Sequence, residues 1–386
     1  MRAADAQRLE DARAAALEVL RHNAAGPFQG LPRTAGWGYP EPYTRDLLIS
    51  ALGILASGDQ VLCGSLRAVM ARLAENQSER GSIPSLVHDP EDRGASDTTP
   101  LFLIIVGILR RLTGKPDYLA TATAKALRWM EYQSSDDRVM VTQQPTSDWR
   151  DEHWVLGHGL FVNTLVYAYL KLLGQDTRAA ELRAAVNRPD DLVDRRDGGE
   201  GLAIRGRPTY ALWSFKVLRD ERCDLLGNSL AIVCGLASRA RARNMVAWIE
   251  QGCAAMRHRH ELAVALPPCL FPCVLPTDPD WRPRYASYNL PGDYHNGGVW
   301  PFVCGFYVAA LVAAGCQRLA EAKLMALADI VRPAREAKVA YGFNEWLKAQ
   351  TGAPSGQDWQ TWSASMFLYA AACVERKRPL FFDFPA

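Results

Sequence analysis

The sequence predicts an all-α protein, a closed (α/α)6 barrel, on three observations. Apolar residues recur at helical spacing in roughly a dozen segments, while two-residue alternation is almost absent. The segments are of two kinds, one amphipathic with a polar face and one apolar nearly all round. The kinds alternate strictly along the chain, so each buried helix is followed by an exposed one returning beside it, a ring inside a ring.

The series opens with an amphipathic segment at 6–22, where Leu9, Leu17 and Leu20 share a face. An apolar segment at 46–57 is followed by an amphipathic one at 61–76, with Leu66, Val69 and Leu73 in phase. Next come 98–112, containing Leu101-Phe102-Leu103-Ile104-Ile105, and its polar-faced partner 117–133. The pattern repeats as 157–173 with 176–187, 226–237 with 239–257, and 299–314 with 317–331, before a last apolar run at 361–374. Gly58, Gly114, Gly174 and Gly315 stand where a left-handed residue ends a helix before a short return. No linker interrupts the series, so residues 1–386 are expected to form one domain. Two connections are long, 188–208 and the proline-rich 261–296. Loops of that length are commonly lids, and Tyr285, Tyr288 and Tyr294 favour order in the second.

Composition excludes several classes. The 44 basic and 42 acidic residues are dispersed, which leaves no cationic face for nucleic acid. The most apolar stretch, Leu101 to Leu109, is about half the length of a bilayer span, and no apolar leader follows Met1. A cytoplasmic protein without a membrane partner is expected. Nine cysteines include no C-x-x-C pair, Cys269 and Cys273 being nearest to a metal-like spacing. The seven histidines form no ligand pattern, so reduced thiols, no metal and no cofactor are expected.

Because the buried helices should share a direction, the residues preceding each of them should meet on one rim. Those residues are Tyr43-Thr44-Arg45-Asp46, Ser96-Asp97-Thr98, Asp148-Trp149-Arg150-Asp151-Glu152-His153, Gly227-Asn228-Ser229 and Tyr294-His295-Asn296-Gly297-Gly298-Val299-Trp300. Glu345-Trp346 and Asp358-Trp359-Gln360-Thr361-Trp362 precede the last helix. Singly, Asp46, Asp97 and Asn228 read equally as helix N-caps, and the tryptophans as packing. Together with Arg45, His295 and Gln360 they offer hydrogen-bond forks and flat apolar faces, which suit a small carbohydrate.

Cleaving a glycosidic bond ordinarily takes two carboxyl groups, one protonating the leaving oxygen and one acting across the sugar ring. Asp151, flanked by Asp148 and Glu152 and close to Trp149 and Trp154, is the expected acid. Glu345, after Gly342-Phe343-Asn344 in a short loop, is expected to stay ionised as the base. A surface or capping carboxylate is the plain alternative for each.

Tyr294-His295-Asn296-Gly297-Gly298-Val299-Trp300-Pro301 resembles the Y-H-N-G-G-x-W-P motif of alkaline and neutral invertases, and Gln360-Thr361-Trp362-Ser363 their Q-T-W-S. Arg45-Asp46, Asp97 and Gly227-Asn228 resemble further motifs in the same order, and the likeness extends more distantly to the glucosidase part of glycogen debranching enzymes. The resemblance implies an (α/α)6 barrel that hydrolyses sucrose with inversion. It puts Asp151, six residues before Gly157-His158, on the family's acid and Phe343-Asn344-Glu345-Trp346 on the motif bearing its base. After Gly157-His158 this chain has Gly159-Leu160-Phe161-Val162-Asn163, with an aromatic ring at Phe161 where the family has a carboxylate. An amylo-α-1,6-glucosidase-like activity, a sugar epimerase using His158 and His295, and a non-catalytic sugar-binding protein are the other readings. The residues leave open whether the chain forms a homo-oligomer.

Overall fold

Each apolar run folds into a helix, and the helices of the two kinds pair as hairpins. A computed structural model describes residues 3–134, 139–188, 201–216, 218–336 and 338–384. Helix α1 (Ala3–Asn23) is followed by α2 (Thr44–Ser57) with α3 (Gln60–Glu75), α4 (Thr98–Thr113) with α5 (Ala120–Tyr132), and α6 (Leu160–Leu172) with α7 (Asp176–Val186). Then come α8 (Leu225–Val233) with α9 (Arg239–His258), the one-turn α10 (Tyr285–Tyr288), α11 (Pro301–Ala313) with α12 (Gln317–Ile330), and α13 (Thr361–Arg376).

Contacts run α2–α4–α6–α8–α11–α13 and back to α2, which closes an inner ring of six helices. Helices α3, α5, α7, α9 and α12 each pack outside the inner helix they follow. The outer partner of α13 is α1, from the other end of the sequence. The fold is therefore the (α/α)6 barrel. Its inner helices are buried nearly all round, as Leu101–Leu109 and Pro301–Val312 are, whereas the outer helices bury one stripe only.

The tightest seams flank α13. A Cβ at Gly53 of α2 would fall 1.9 Å from the Ser365 carbonyl, and one at Gly305 of α11 would fall 2.7 Å from that of Met366. Only a residue without a side chain lets these backbones approach so closely. Ser365 Oγ donates across the same seam to the Ser50 carbonyl.

The left-handed turns expected at Gly58, Gly114, Gly174 and Gly315 are all present, with φ between 67° and 79°. Several helix ends differ from the sequence expectation for local reasons. Helix α6 starts at Leu160 because His158–Gly159 form strand β1, paired with β2 (Trp213–Phe215), which in turn pairs with β3 (Leu218–Asp220). Helix α11 starts at Pro301 because Val299 is bridged to Leu347, and α5 starts late because Leu119 is left-handed. Strands β4 (Cys223–Asp224) and β5 (Leu270–Phe271), then β6 (Trp346–Leu347) and β7 (Pro354–Ser355), complete three small antiparallel sheets.

The connection 261–296 is built rather than open. It contains β5 and α10, and Arg222 holds it through Asp278 at 2.8 Å and Asp280 at 2.5 Å. Most of the other long connection, residues 189–200, lies outside the described residues. Among the described residues no helix is long and apolar enough to cross a membrane.

Candidate active site

The segments entering α2, α4, α6, α11 and α13 meet around a cavity of about 510 Å³. Asp151, Glu345, Arg45, Asp46, Trp149, Tyr294, His295, Trp300, Gln360 and Trp362 all line it, so ten of the residues expected at the site share one cavity. Asp46, Asp97 and Asn228 do not cap their helices: no side-chain cap bond is made at α4 or α8, and Asp46 lies inside the first turn of α2. Side-chain caps at Asp59 and Ser238 belong instead to the outer helices α3 and α9.

Asp151 stands at the tip of a turn closed by the His153 N–H donating to the Arg150 carbonyl at 3.0 Å. The turn is anchored inward by Arg150, which is buried and ion-paired with Asp148 at 3.1 Å and Asp224 at 2.8 Å. Burial opposes the charge on Asp148, but the Arg150 guanidinium and two hydrogen bonds outweigh it and hold Asp148 below its ordinary pKa. Among the described residues nothing hydrogen-bonds or ion-pairs with the Asp151 carboxyl, whose exposed surface opens into the cavity. Desolvation within the cleft pushes its pKa up, against Arg45, and the negative charges of Glu152, Asp148 and Asp97 push the same way.

Glu345 is delivered by the β6–β7 hairpin. Its N–H donates to the Gln357 carbonyl at 2.9 Å, and the Gln357 N–H donates back to Oε2 at 3.1 Å. Gly356, at φ +71°, makes the room, since a Cβ there would lie 2.3 Å from Oε2. The sequence suggested an ionised carboxylate in an open loop; the structure instead leaves Glu345 only 7% exposed. Burial raises its pKa to about 7, with the Gln357 N–H lowering it and Asp151 raising it. Asp46, a third carboxyl on the wall, is raised to about 8 by burial, against Arg45, with Glu345 and Asp151 adding to the rise. It is therefore mainly protonated at neutral pH and can donate a hydrogen bond.

Arg45 donates from Nε to Asp97 Oδ2 at 2.6 Å and presents the rest of its fork to the cavity. The opposite wall is aromatic. His295 stacks on Trp300 at 5.3 Å and meets the edge of Trp149 at 5.1 Å, and burial keeps its imidazole neutral. Gln360 Oε1, His295 Nδ1, Trp149 Nε1 and Trp362 Nε1 are buried without a hydrogen-bond partner among the described residues. Unspent polar atoms of this kind are costly unless a ligand satisfies them.

Six of the expected residues stand behind the wall. Asp97 and Asp148 hold Arg45 and Arg150. His158 lies in β1, its Nδ1 3.4 Å from the Val141 carbonyl. Asn228 accepts from the Tyr210 N–H at 2.9 Å, and Asn296 exchanges bonds with Val274 at 2.7 and 2.8 Å. Thr361 donates to the Arg33 carbonyl at 2.8 Å. These side chains satisfy loop backbone, which a sequence motif cannot distinguish from ligand contact. Phe161 and Asn163 are likewise buried in α6, away from the lining, so the aromatic departure does not line the cavity.

Tyr39, Tyr43 and the stretch Gln144–Ser147 also line the cavity, and of these only Tyr43 is expected from the sequence, as part of the rim. The Tyr39 hydroxyl is pushed up to about 12 by burial and then by Glu345, Tyr43 and Asp151. Its only signal was an aromatic residue between turn-formers, Gly38-Tyr39-Pro40, shortly before Arg45-Asp46. Strain also gathers here: Thr146, Tyr294, Phe343 and Trp359 all have φ between 40° and 58°. Thr146 and Tyr294 line the cavity, and Trp359 adjoins Gln360, which does.

Residues 217–377 match the family of alkaline and neutral invertases, which covers Glu345, His295, Trp300 and Trp362 but not Arg45, Trp149 or Asp151. Among solved structures, an uncharacterized conserved protein from Thermus thermophilus superposes with a TM-score of 0.65 at 16% identity, over 92% of this chain and 99% of that one. The glycoside hydrolase family 63 mannosylglycerate hydrolase of the same organism, complexed with Tris and D-glycerate, gives 0.63 at 15% identity over 92% and 99%. A glycosidase variant in complex with glucose gives 0.64 at 17% identity over 97% and 99%. No curated protein matches the chain by sequence. The carboxyl-terminal part of the barrel thus carries the sequence pattern of a glycoside hydrolase family, on a fold shared with glycosidases.

Proposed function

We propose that this chain is a glycoside hydrolase that cleaves an α-glucosidic bond with inversion, sucrose being the first substrate to test. The observation that carries the reading is a single cavity walled by two carboxyl groups, one of which raises the other's pKa, and by unspent hydrogen-bonding atoms. Asp151, untethered at its turn, would protonate the leaving oxygen. Glu345, its carboxylate oriented by Gln357, would take a proton from water attacking the opposite face of the ring. Burial raises the pKa of both carboxyls, and the Asp151 charge adds to the rise at Glu345, which favours the protonated form that an acid needs.

Arg45, the protonated Asp46, His295 and Gln360 would grip hydroxyls, while Trp300 and Trp362 offer faces to the sugar's C–H groups. The cysteines are unpaired throughout, which supports the cytoplasm as its compartment. An epimerase with paired histidines is disfavoured, since His158 lies off the cavity and His295 is held neutral. The test is a panel of glycosides read by product release, including sucrose, isomaltose and mannosylglycerate, with proton NMR of the first sugar released. First release of the β-anomer supports the proposal, and first release of the α-anomer refutes inversion. Full turnover by Asp151→Asn or Glu345→Gln would remove that residue from its role.

A further inference from the structure

We propose that Asn289, at the end of α10, is a positioning residue that fixes the proton-donating turn against the aromatic wall, with Tyr285 as its accessory. This rests on the reading of Asp151 as the acid. The turn carrying Asp151 is held on its inner side by Arg150, but Asp151 itself has no tether among the described residues, so its aim depends on what holds the residues after it. That outer hold comes from the 261–296 connection, far away in sequence. Asn289 Nδ2 donates to the Glu152 carbonyl at 2.7 Å, one residue beyond the acid. Its Oδ1 accepts from the His295 N–H at 3.0 Å, on the wall opposite. Its own carbonyl accepts from Asn296 Nδ2 at 2.9 Å, and its N–H donates to the Tyr285 carbonyl at 2.8 Å. Both ends of a side chain on a residue 1% exposed, and both of its backbone groups, are thereby committed to joining three segments.

Tyr285 adds a parallel tie: its hydroxyl accepts from the Trp154 N–H at 2.8 Å, and its ring stacks on His153 at 5.4 Å with planes 8° apart. Arg284 pairs with the Glu152 carboxylate on the same side. Residues 152, 153 and 154 are therefore each held by α10 or its flank, whereas Asp151 is not. A misplacement of the acid by about an ångström costs on the order of 100-fold in rate, and only where the leaving group needs a proton.

Leaving-group demand supplies the test. Fluoride departs with little protonation, whereas a sugar or alkyl alkoxide needs it. For Asn289→Ala we expect kcat on the best glucoside found in the panel to fall on the order of 30-fold with KM within about twofold. Activity on α-glucosyl fluoride should fall less than about threefold, because the acid contributes only to the step in which the leaving group is protonated. Tyr285→Phe, which keeps the stack and loses only the hydroxyl, should show the same substrate-selective pattern more weakly, and it guards against failure of the first variant to fold. Equal losses on glucoside and fluoride in both variants would overturn the proposal, because a general loosening of the site does not discriminate leaving groups. Asp151→Asn is run beside them: if it spares the fluoride while Asn289→Ala does not, the clamp fails and the acid assignment stands. If Asp151→Asn loses both substrates alike, the acid assignment falls and takes the clamp with it.

Discussion

The Gln357 N–H meets Glu345 Oε2 at 3.1 Å only because the preceding residue, Gly356, has no side chain. Gly356→Ala would put a methyl group 2.3 Å from that oxygen, at a φ of +71° that alanine resists. We expect kcat to drop by roughly 100-fold with KM little changed, since the base is displaced while the sugar grips remain. Steady-state kinetics beside a melting curve that shifts little is the check, and unaltered kcat would detach Glu345 from the water.

Arg45 and Asp97 form a pair that is 14% and 0% exposed. Arg45→Met leaves the Asp97 charge buried alone and is expected to cost about 3–5 kcal/mol in urea denaturation. The double change Arg45→Met, Asp97→Leu should recover most of that stability but none of the activity, because the fork offered to the sugar is gone. Full recovery of turnover in the double variant would mean that Arg45 serves the fold alone.

The pH profile has a definite sign. Glu345 must be ionised to act as base, so kcat/KM should climb as pH rises through about 7, its folded pKa. Asp151 must be protonated, so loss of its proton lowers the rate. In Asp151→Asn, assayed on α-glucosyl fluoride, one cause raising Glu345 disappears and the acidic limb should move to lower pH. A limb that stays in place would show that the two carboxyls do not sense each other.

His153 is buried, and burial followed by the charge of Arg150 lowers its pKa to about 3. Above about 6.5, the unfolded value, the ring is neutral in both states and stability is independent of it. As pH falls from there towards 3, the unfolded chain binds a proton that the folded one refuses, and the fold loses up to about 3 kcal/mol by about pH 4. His153→Phe, which can keep the stack on Tyr285, should flatten melting temperature across that window. The same acid sensitivity in the variant would assign it to other groups.

Most of the barrel is legible in the sequence because each helix declares itself locally. The run Leu101–Ile105 has no polar face, whereas Leu66, Val69 and Leu73 make a stripe, and the difference between inner and outer rings is the difference between those patterns. The helix ends are less legible wherever a distant segment intervenes, as Leu347 does at Val299. In the site, Asp151 and Glu345 stand out from the other rim carboxyls by their settings, Asp151 between two acidic neighbours and beside indoles, Glu345 in a short loop after Gly342-Phe343-Asn344. Asn228, Asn296 and Thr361 look identical in sequence to ligand contacts, yet their partners are backbone groups 18, 22 and 328 residues away. Tyr39 and Gln144 are hard to find for the opposite reason, since they lie in connections that no periodicity governs.

The seam in which α13 slots between Gly53 and Gly305 joins the last inner helix to the first. During synthesis α2 must wait for most of the chain, as the Ser365–Ser50 bond spanning 315 residues requires, before its neighbour leaves the ribosome. Until then the bowl has a missing stave, Gln360 and Trp362 are not yet in it, and Glu345 has nothing to lean on. A nascent chain thus lacks a complete cavity however much of it has folded, and the wall closes in one late event rather than by degrees.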